Sequence, residues 1–448
     1  MKLLVSKIVK DRRTWKTAAL YFAFTGMGFC QAVTGPSLLD LKIKTQSTTE
    51  EIAYSVIGRA TGVGFGCIMH SVLIPRTTDV QLVIAIALFF ASIAQAAVPL
   101  NTCVWGVVGT LFATGTFCGI LEISCNMFAI ELWGKRCPPF LQVLHFCFGF
   151  GSCLAPLIVR PFLLQAEEED NEIRNLEFRP EDVRVQIAFY IIASWIFIAS
   201  TLFGIIFLFF KETSSVTCCK EEAMSDCKST EDLMTLSLPL KQTRYRYAAN
   251  SMAMIFMFFY CGIEIALGSY LTPFAVNSDL HLTKKTGALL SSVYWMTFTF
   301  ARLVTIFYIG FVGPRNSMVI ALTLVFVSNL FMVGGGNTTE WCLWTGVVLN
   351  GAGMSSIWGT LFAHIQDYYP MTHKLTSLLV IASSLGECIL SVVMGVFIDT
   401  HCEFIMVITM CCSVALLLLF VLMHLFLHLF QKEQVKHGKH VLAIKTNP

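Results

Sequence analysis

Runs of eighteen or more predominantly apolar residues recur from end to end of this 448-residue chain. Such a run is long enough for a helix to cross the hydrocarbon core while satisfying its own backbone hydrogen bonds, which lipid cannot do. The charge content agrees. Only 13% of residues are charged, against about 25% in a soluble domain. The pattern predicts an all-α, polytopic membrane protein. Twelve spans are expected, at 15–39, 52–74, 80–99, 103–132, 139–164, 185–210, 246–273, 286–309, 317–335, 341–364, 375–398 and 403–430.

The spans fall into two sets of six, 15–210 and 246–430, joined by a polar central linker, 211–245. A basic segment, 1–14, precedes them and a tail, 431–448, follows. The stretch after MKLLVSKIVKDRRTWK is too long for a cleaved signal peptide and reads as a retained first span. Of 31 Lys and Arg residues, 21 fall in segments on the side of the termini and 7 in loops on the other. The positive-inside rule therefore places both termini in the cytosol. The sequon at Asn337 lies in a loop on the outer side, where N-glycosylation takes place. A multi-pass protein of this kind is expected in the plasma membrane, functional as a monomer and surrounded by lipid.

A net charge of +2 provides no basic field for nucleic acid. No GxxxxGK[ST] segment is present, so ATP does not energise the chain directly. Seventeen cysteines sit mostly inside apolar runs, where a thiol behaves as a small hydrophobe. Cys218, Cys219 and Cys227 of the linker form a group suited to palmitoylation. His424 and His428 have a spacing compatible with a metal, but the further histidine boxes of a membrane metalloenzyme are missing, and packing at the boundary is the better reading. No enzyme activity, metal or cofactor is expected beyond a coupling ion.

Two six-span halves invite a search for a repeat. Gly151-Ser152-Cys153-Leu154-Ala155-Pro156 in span five aligns with Gly386-Glu387-Cys388-Ile389-Leu390-Ser391 in span eleven. A solute site is then expected near the midplane, between the halves.

Charges inside spans mark where such a site lies, because an ionisable group at that depth faces a cavity or a partner. Glu122 stands near the centre of span four, with Asn126 one turn further along the same face. Glu122 is either part of a polar cavity or a protonated acid bonded to a neighbouring helix. Glu264 and Glu387 lie deep in spans seven and eleven. Arg302 is expected in a gating or structural role near the cytosolic end of span eight, Arg160 at the outer end of span five, and Arg59 leaves both readings open. Polar and aromatic candidates for solute contact are Gln31, Asn126, Gln142, His145, Trp295, Asn350 and Trp358. A buried acid couples transport by carrying a proton, or by staying ionised around Na⁺.

Several stretches carry a resemblance. GPSLLDL (35–41), FLQVLHFCFGFGSCLAPLIVRPFL (140–163), YCGIEIALGSY in span seven, the Trp295…Arg302 spacing and Gly386-Glu387 resemble the major facilitator superfamily. The stretches resemble in particular the branch of the sodium-dependent glucose transporters and their domain-containing-protein-4 relatives. The resemblance implies a twelve-helix, two-halved carrier of a small polar solute such as a hexose, working by alternating access and coupled to Na⁺. Leu121, Glu122, Asn126 and Phe128 also fill an L-E-x-x-x-N-x-F pattern similar to fucose permeases, which implies a coupling role for Glu122. Where those permeases carry an acid in the first helix, this chain has Gln31. The usual gate motif between spans two and three is altered too, with His70 where an acid is expected. A non-transporting sensor or scaffold on the same fold, or a proton-coupled carrier of another organic solute, are the alternatives.

Overall fold

The computed structural model describes residues 12–74, 78–164, 179–209, 240–369, 371, 373–398 and 401–446. Most of the 1–14 segment, nearly all of the 211–245 linker and the Cys218, Cys219 and Cys227 group lie outside the described residues. The elements are α1 Arg12–Ala32, α2 Thr34–Thr45, α3 Thr49–Leu73, α4 Val80–Ala97, α5 Val104–Trp133, α6 Cys137–Val159 and α7 Gln186–Phe209. After the linker come α8 Leu240–Asn277, α9 Lys284–Val312, α10 Pro314–Gly335, α11 Glu340–Gln366, α12 His373–Phe397 and α13 Glu403–Thr446. Short 3₁₀ turns join some of them. Among the described residues, ten helices are long and apolar enough to cross a membrane, namely α3 to α10, α12 and α13. Phe89, Phe307, Phe311 and Leu418 stand exposed on their outer faces, as lipid-facing side chains do.

Three expected boundaries shift, one of them the linker, whose last residues, 240–245, already belong to α8. The stretch read as one span at 15–39 is two helices that break at Val33. Pro36 cannot donate a backbone N–H, and its ring crowds the carbonyl four residues back, where α1 ends. The stretch read as a tail from 431 continues α13 as helix to Thr446. Elsewhere polar caps set the helix starts. The Thr48 hydroxyl accepts from Glu51 N at 3.2 Å while the Glu51 carboxylate accepts from Thr48 N at 2.8 Å, a reciprocal cap that opens α3.

Helices α1 to α7 pack among themselves, as do α8 to α13, and the same partnerships occur in each group. Helix α1 packs on α6 as α8 packs on α12, and α3 packs on α5 as α9 packs on α11. The groups meet chiefly where α3 packs on α12 and α6 packs on α9. Exchanging the groups converts one of these interfaces into the other, so the molecule carries a structural repeat.

Small residues make the repeat possible, because helices in lipid gain by approaching closely enough for backbones to touch. A Cβ on Gly151 of α6 would collide with the Thr25 carbonyl of α1, and a Cβ on Gly386 of α12 with the Phe258 carbonyl of α8. The two glycines aligned from sequence thus occupy matching contacts in the two groups. A Gly386→Ala change is expected to lower stability by about 1–3 kcal/mol through overpacking, seen as a lower unfolding temperature of the detergent-purified protein. Gly204→Ala, where nothing lies within 4 Å of the added carbon, is the control and leaves that temperature unchanged or raises it.

Candidate functional site

Between the two groups lies a cavity of about 470 Å³, within the range of small-molecule sites. Helices α1, α3, α5 and α6 supply one wall, and α8, α9, α11 and α12 the other. Eight of the sequence-derived candidates line it: Gln31, Glu122, Gln142, His145, Glu264, Arg302, Trp358 and Glu387. They come from segments up to 356 residues apart (Gln31 to Glu387), and the repeat packing is what gathers them.

The cavity is charged. Glu122, Glu264 and Glu387 are all partly exposed at its wall, and two guanidinium groups stand among them. Arg302, in the second half of α9, lines the cavity, donates from Nε to the Ser355 carbonyl at 3.0 Å and stands 4.6 Å from the Phe298 ring centroid. The field of Arg302, from α9, acts on Glu122 of α5, and the field of Arg59, from α3, acts on Glu387 of α12. These two relations cross between the groups in opposite senses, while Arg302 also acts on Glu264 within its own group. At the protein–lipid depth these helices occupy, a set of opposite charges around water or a solute is far less costly than isolated ones.

Other candidates lie elsewhere. Asn126 turns its amide onto its own helix, donating to the Glu122 carbonyl at 2.7 Å. Trp295 is 1% exposed and lies against Gly268 of α8, as packing. Asn350 is fully buried outside the cavity lining, with neither amide atom partnered. Asn337 sits in the loop before α11, and the nitrogen a glycan would occupy donates to Asp279 at 2.7 Å. His424 Nδ1 lies 3.3 Å from His364 Nε2 of α11. Among the described residues no group of three His, Cys, Asp or Glu side chains is placed to hold a metal. Arg160 is exposed at the end of α6, in keeping with a snorkelling side chain.

Sequence reading did not single out what closes the cavity. Asp40, midway along α2, is fully buried. Its Oδ1 meets Lys284 Nζ, at the start of α9, at 2.5 Å, and its Oδ2 accepts from Leu164 N at 3.0 Å. One carboxylate thereby ties the first span, the segment after α6 and the second group of helices together. Further contacts between groups lie on the same side or near the helix middles: Ser292 Oγ donates to the Cys153 carbonyl at 2.8 Å, and a Cβ on Gly149 would press on Thr299. The cavity lining runs the opposite way, reaching Leu141 early in α6, Ile309 late in α9 and Ala363 late in α11. All three helix ends lie on the face where the chain enters the central linker. The cavity is sealed towards Asp40 and extends towards the linker face.

No family model matches the chain. It is similar to sodium-dependent glucose transporter 1 of Homo sapiens, 26% identical over 84% of this chain and 72% of that protein. It is likewise similar to major facilitator superfamily domain-containing protein 4A of Xenopus tropicalis, 25% identical over 87% of each. A crystal structure of a D-xylose-proton symporter superposes with a TM-score of 0.72 at 12% identity, covering 91% of this chain and 97% of that one. The fold is that of major facilitator superfamily transporters, as the resemblance read from sequence implied. Sodium-dependent glucose transporter 1 and the D-xylose-proton symporter are transporters by name.

Removing the Asp40 carboxylate is expected to loosen the seal. With Cys118 of the cavity wall kept as the sole thiol, Asp40→Asn should raise its labelling by an impermeant maleimide from the Asp40 side several-fold over the same background. Unchanged labelling would show that the other contacts close that side unaided.

Proposed function

We propose that this chain is a secondary carrier that moves a small polar solute, most plausibly a hexose, by alternating access. Twelve spans follow if α1 with α2 counts as the first and α11 as the tenth. Breakage at Val33 and the polar content of α11 (Asn350, Ser355, Ser356, Thr360, His364) explain why those two fall below a simple hydropathy threshold. Residues 15–210 and 246–430 form the halves, 211–245 the cytosolic linker, and both termini lie in the cytosol. In this reading the linker face is cytosolic and the described conformation is open inward. The protein works as a monomer in the plasma membrane.

The observation that carries the proposal is the placement of the cavity. It lies between two repeat-related groups of helices, is closed on one side by a buried ion pair and is open on the other. A carrier needs one site and two alternately sealed exits. Gln31, Gln142, His145 and Trp358 offer the mix of hydrogen-bonding groups and aromatic surface that a sugar requires. The names of the relatives, which specify glucose and sodium dependence, support the choice of solute and of Na⁺ as the coupling ion.

Glu122 is the coupling candidate. It lines the cavity, its carboxylate makes no ion pair or hydrogen bond among the described residues, and the charge acting on it belongs to the opposite half. A cation bound there would weaken the pull between Glu122 and Arg302, so its arrival changes the balance between closed and open halves. Glu264 and Glu387 are the further candidates for ligating that ion.

Labelled-sugar uptake into proteoliposomes, with and without imposed Na⁺ or proton gradients, tests the carrier reading. Gradient-dependent or exchange flux is expected; none across a broad solute panel would leave the fold as a sensor or scaffold. Glu122→Gln should abolish gradient-driven uptake, with counterflow reduced far less. Equal loss of both would assign Glu122 to solute binding or folding.

A further inference from the structure

Arg59 is a buried cationic group of the cavity whose hydrogen-bonding needs are only partly met within the protein. It is 3% exposed, on α3, and lines the cavity. Its Nη1 donates to the side-chain oxygen of Gln31 at the end of α1. Its Nε and Nη2 have no hydrogen-bond partner. The position is not accidental slack, because α3 and α5 touch backbone to backbone at this level: a Cβ on Gly115 would strike the Arg59 carbonyl. The main chain is fixed there, and the side chain is held by Gln31 at one nitrogen only.

The two free nitrogens form one edge of the guanidinium. Their N–H bonds run parallel, and such an edge fits two oxygen atoms held side by side. A buried donor without an acceptor is costly, and more so when it bears charge. Arg302, by contrast, has its Nε committed to Ser355 and its face to Phe298. Glu387 of the other half lies within electrostatic reach of Arg59 without pairing with it. Among the described residues that line the cavity, Arg59 and not Arg302 has an Nε/Nη2 edge that is buried and without a hydrogen-bond partner.

We propose that this edge of Arg59 seats a pair of adjacent oxygens on the transported solute and so sets its orientation and selection. Gln31 acts as the positioning residue that aims it. The paired oxygens are neighbouring hydroxyls of a neutral sugar or the carboxylate of a sugar acid. The proposal rests on the carrier reading but names a contact that reading does not require.

The full chain, purified in detergent, is titrated with D-glucose and with D-glucuronate, following binding by thermal shift, for wild type, Arg59→Lys and Arg59→Gln. Lysine keeps the charge and most of the bulk but loses the parallel donors. At least one probe is expected to bind wild type, and Arg59→Lys should weaken it by about tenfold or more, with the ligand-free unfolding temperature retained. In counterflow the same variant should raise KM with little change in kcat. The probe that loses more identifies the source of the oxygens, hydroxyls for glucose or a carboxylate for glucuronate. Undiminished binding in Arg59→Lys overturns the proposal, as does failure of both probes to bind wild type. Flux of some other solute in the panel assay would then leave the carrier reading standing alone.

Discussion

A charge inside a membrane helix must find water, a ligand or an opposite charge, since lipid offers none of these. This chain places Glu122, Glu264, Glu387, Arg59 and Arg302 under that constraint at once. The helices cannot pack into a solid bundle around five such groups without stranding several of them. A solvent-reachable space between two groups of helices resolves the conflict, and the rest of the architecture keeps that space from opening at both ends. The close glycine contacts of α3 with α5, α1 with α6 and α8 with α12 make each group stiff. Flexibility is left to the seams between groups, which are held by few directional bonds.

Those seams differ in kind. Near the helix middles the charges act across the gap, with Arg302 on Glu122 and Arg59 on Glu387. Towards the sealed end a true ion pair joins the fully buried Asp40 to the largely covered Lys284. Ion pairs of the second sort hold firmly once formed and are expensive to leave half-broken. Loose attraction in a wet cavity, by comparison, is easily altered by any ion or solute that enters it. The closed end behaves as a discrete latch, while the middle remains responsive to its contents.

Much of this was legible in the sequence. Helix positions were, because an apolar run of bilayer length announces itself through composition alone, and the boundaries of α3 to α12 fall within a few residues of those expected. Eight candidate site residues lie together because polar groups in such helices have few other places to go. What composition cannot convey is rotation. A helix apolar on nearly every side carries no stripe to show which residues face inward, so Trp295 and Asn350 looked as eligible as Trp358 and Gln142. Nor could it reveal partners far apart along the chain. Asp40 reads as an ordinary acid at the end of a span until Lys284, 244 positions away, is brought beside it. The bend at Val33 was written in Pro36, but a proline is tolerated in many membrane helices and marks a break only when neighbours accommodate it.

That bend divides labour within one span. Gln31, next to the end of α1, lines the cavity, whereas Asp40 rides on α2 at the sealed side. A rigid rod would transmit every displacement at one end to the other. A rod with a joint lets the seal be strengthened or relaxed through α2 and its neighbours while the contacts around Gln31 stay put. In the carrier proposed above, affinity and opening frequency can thus drift separately over evolutionary time.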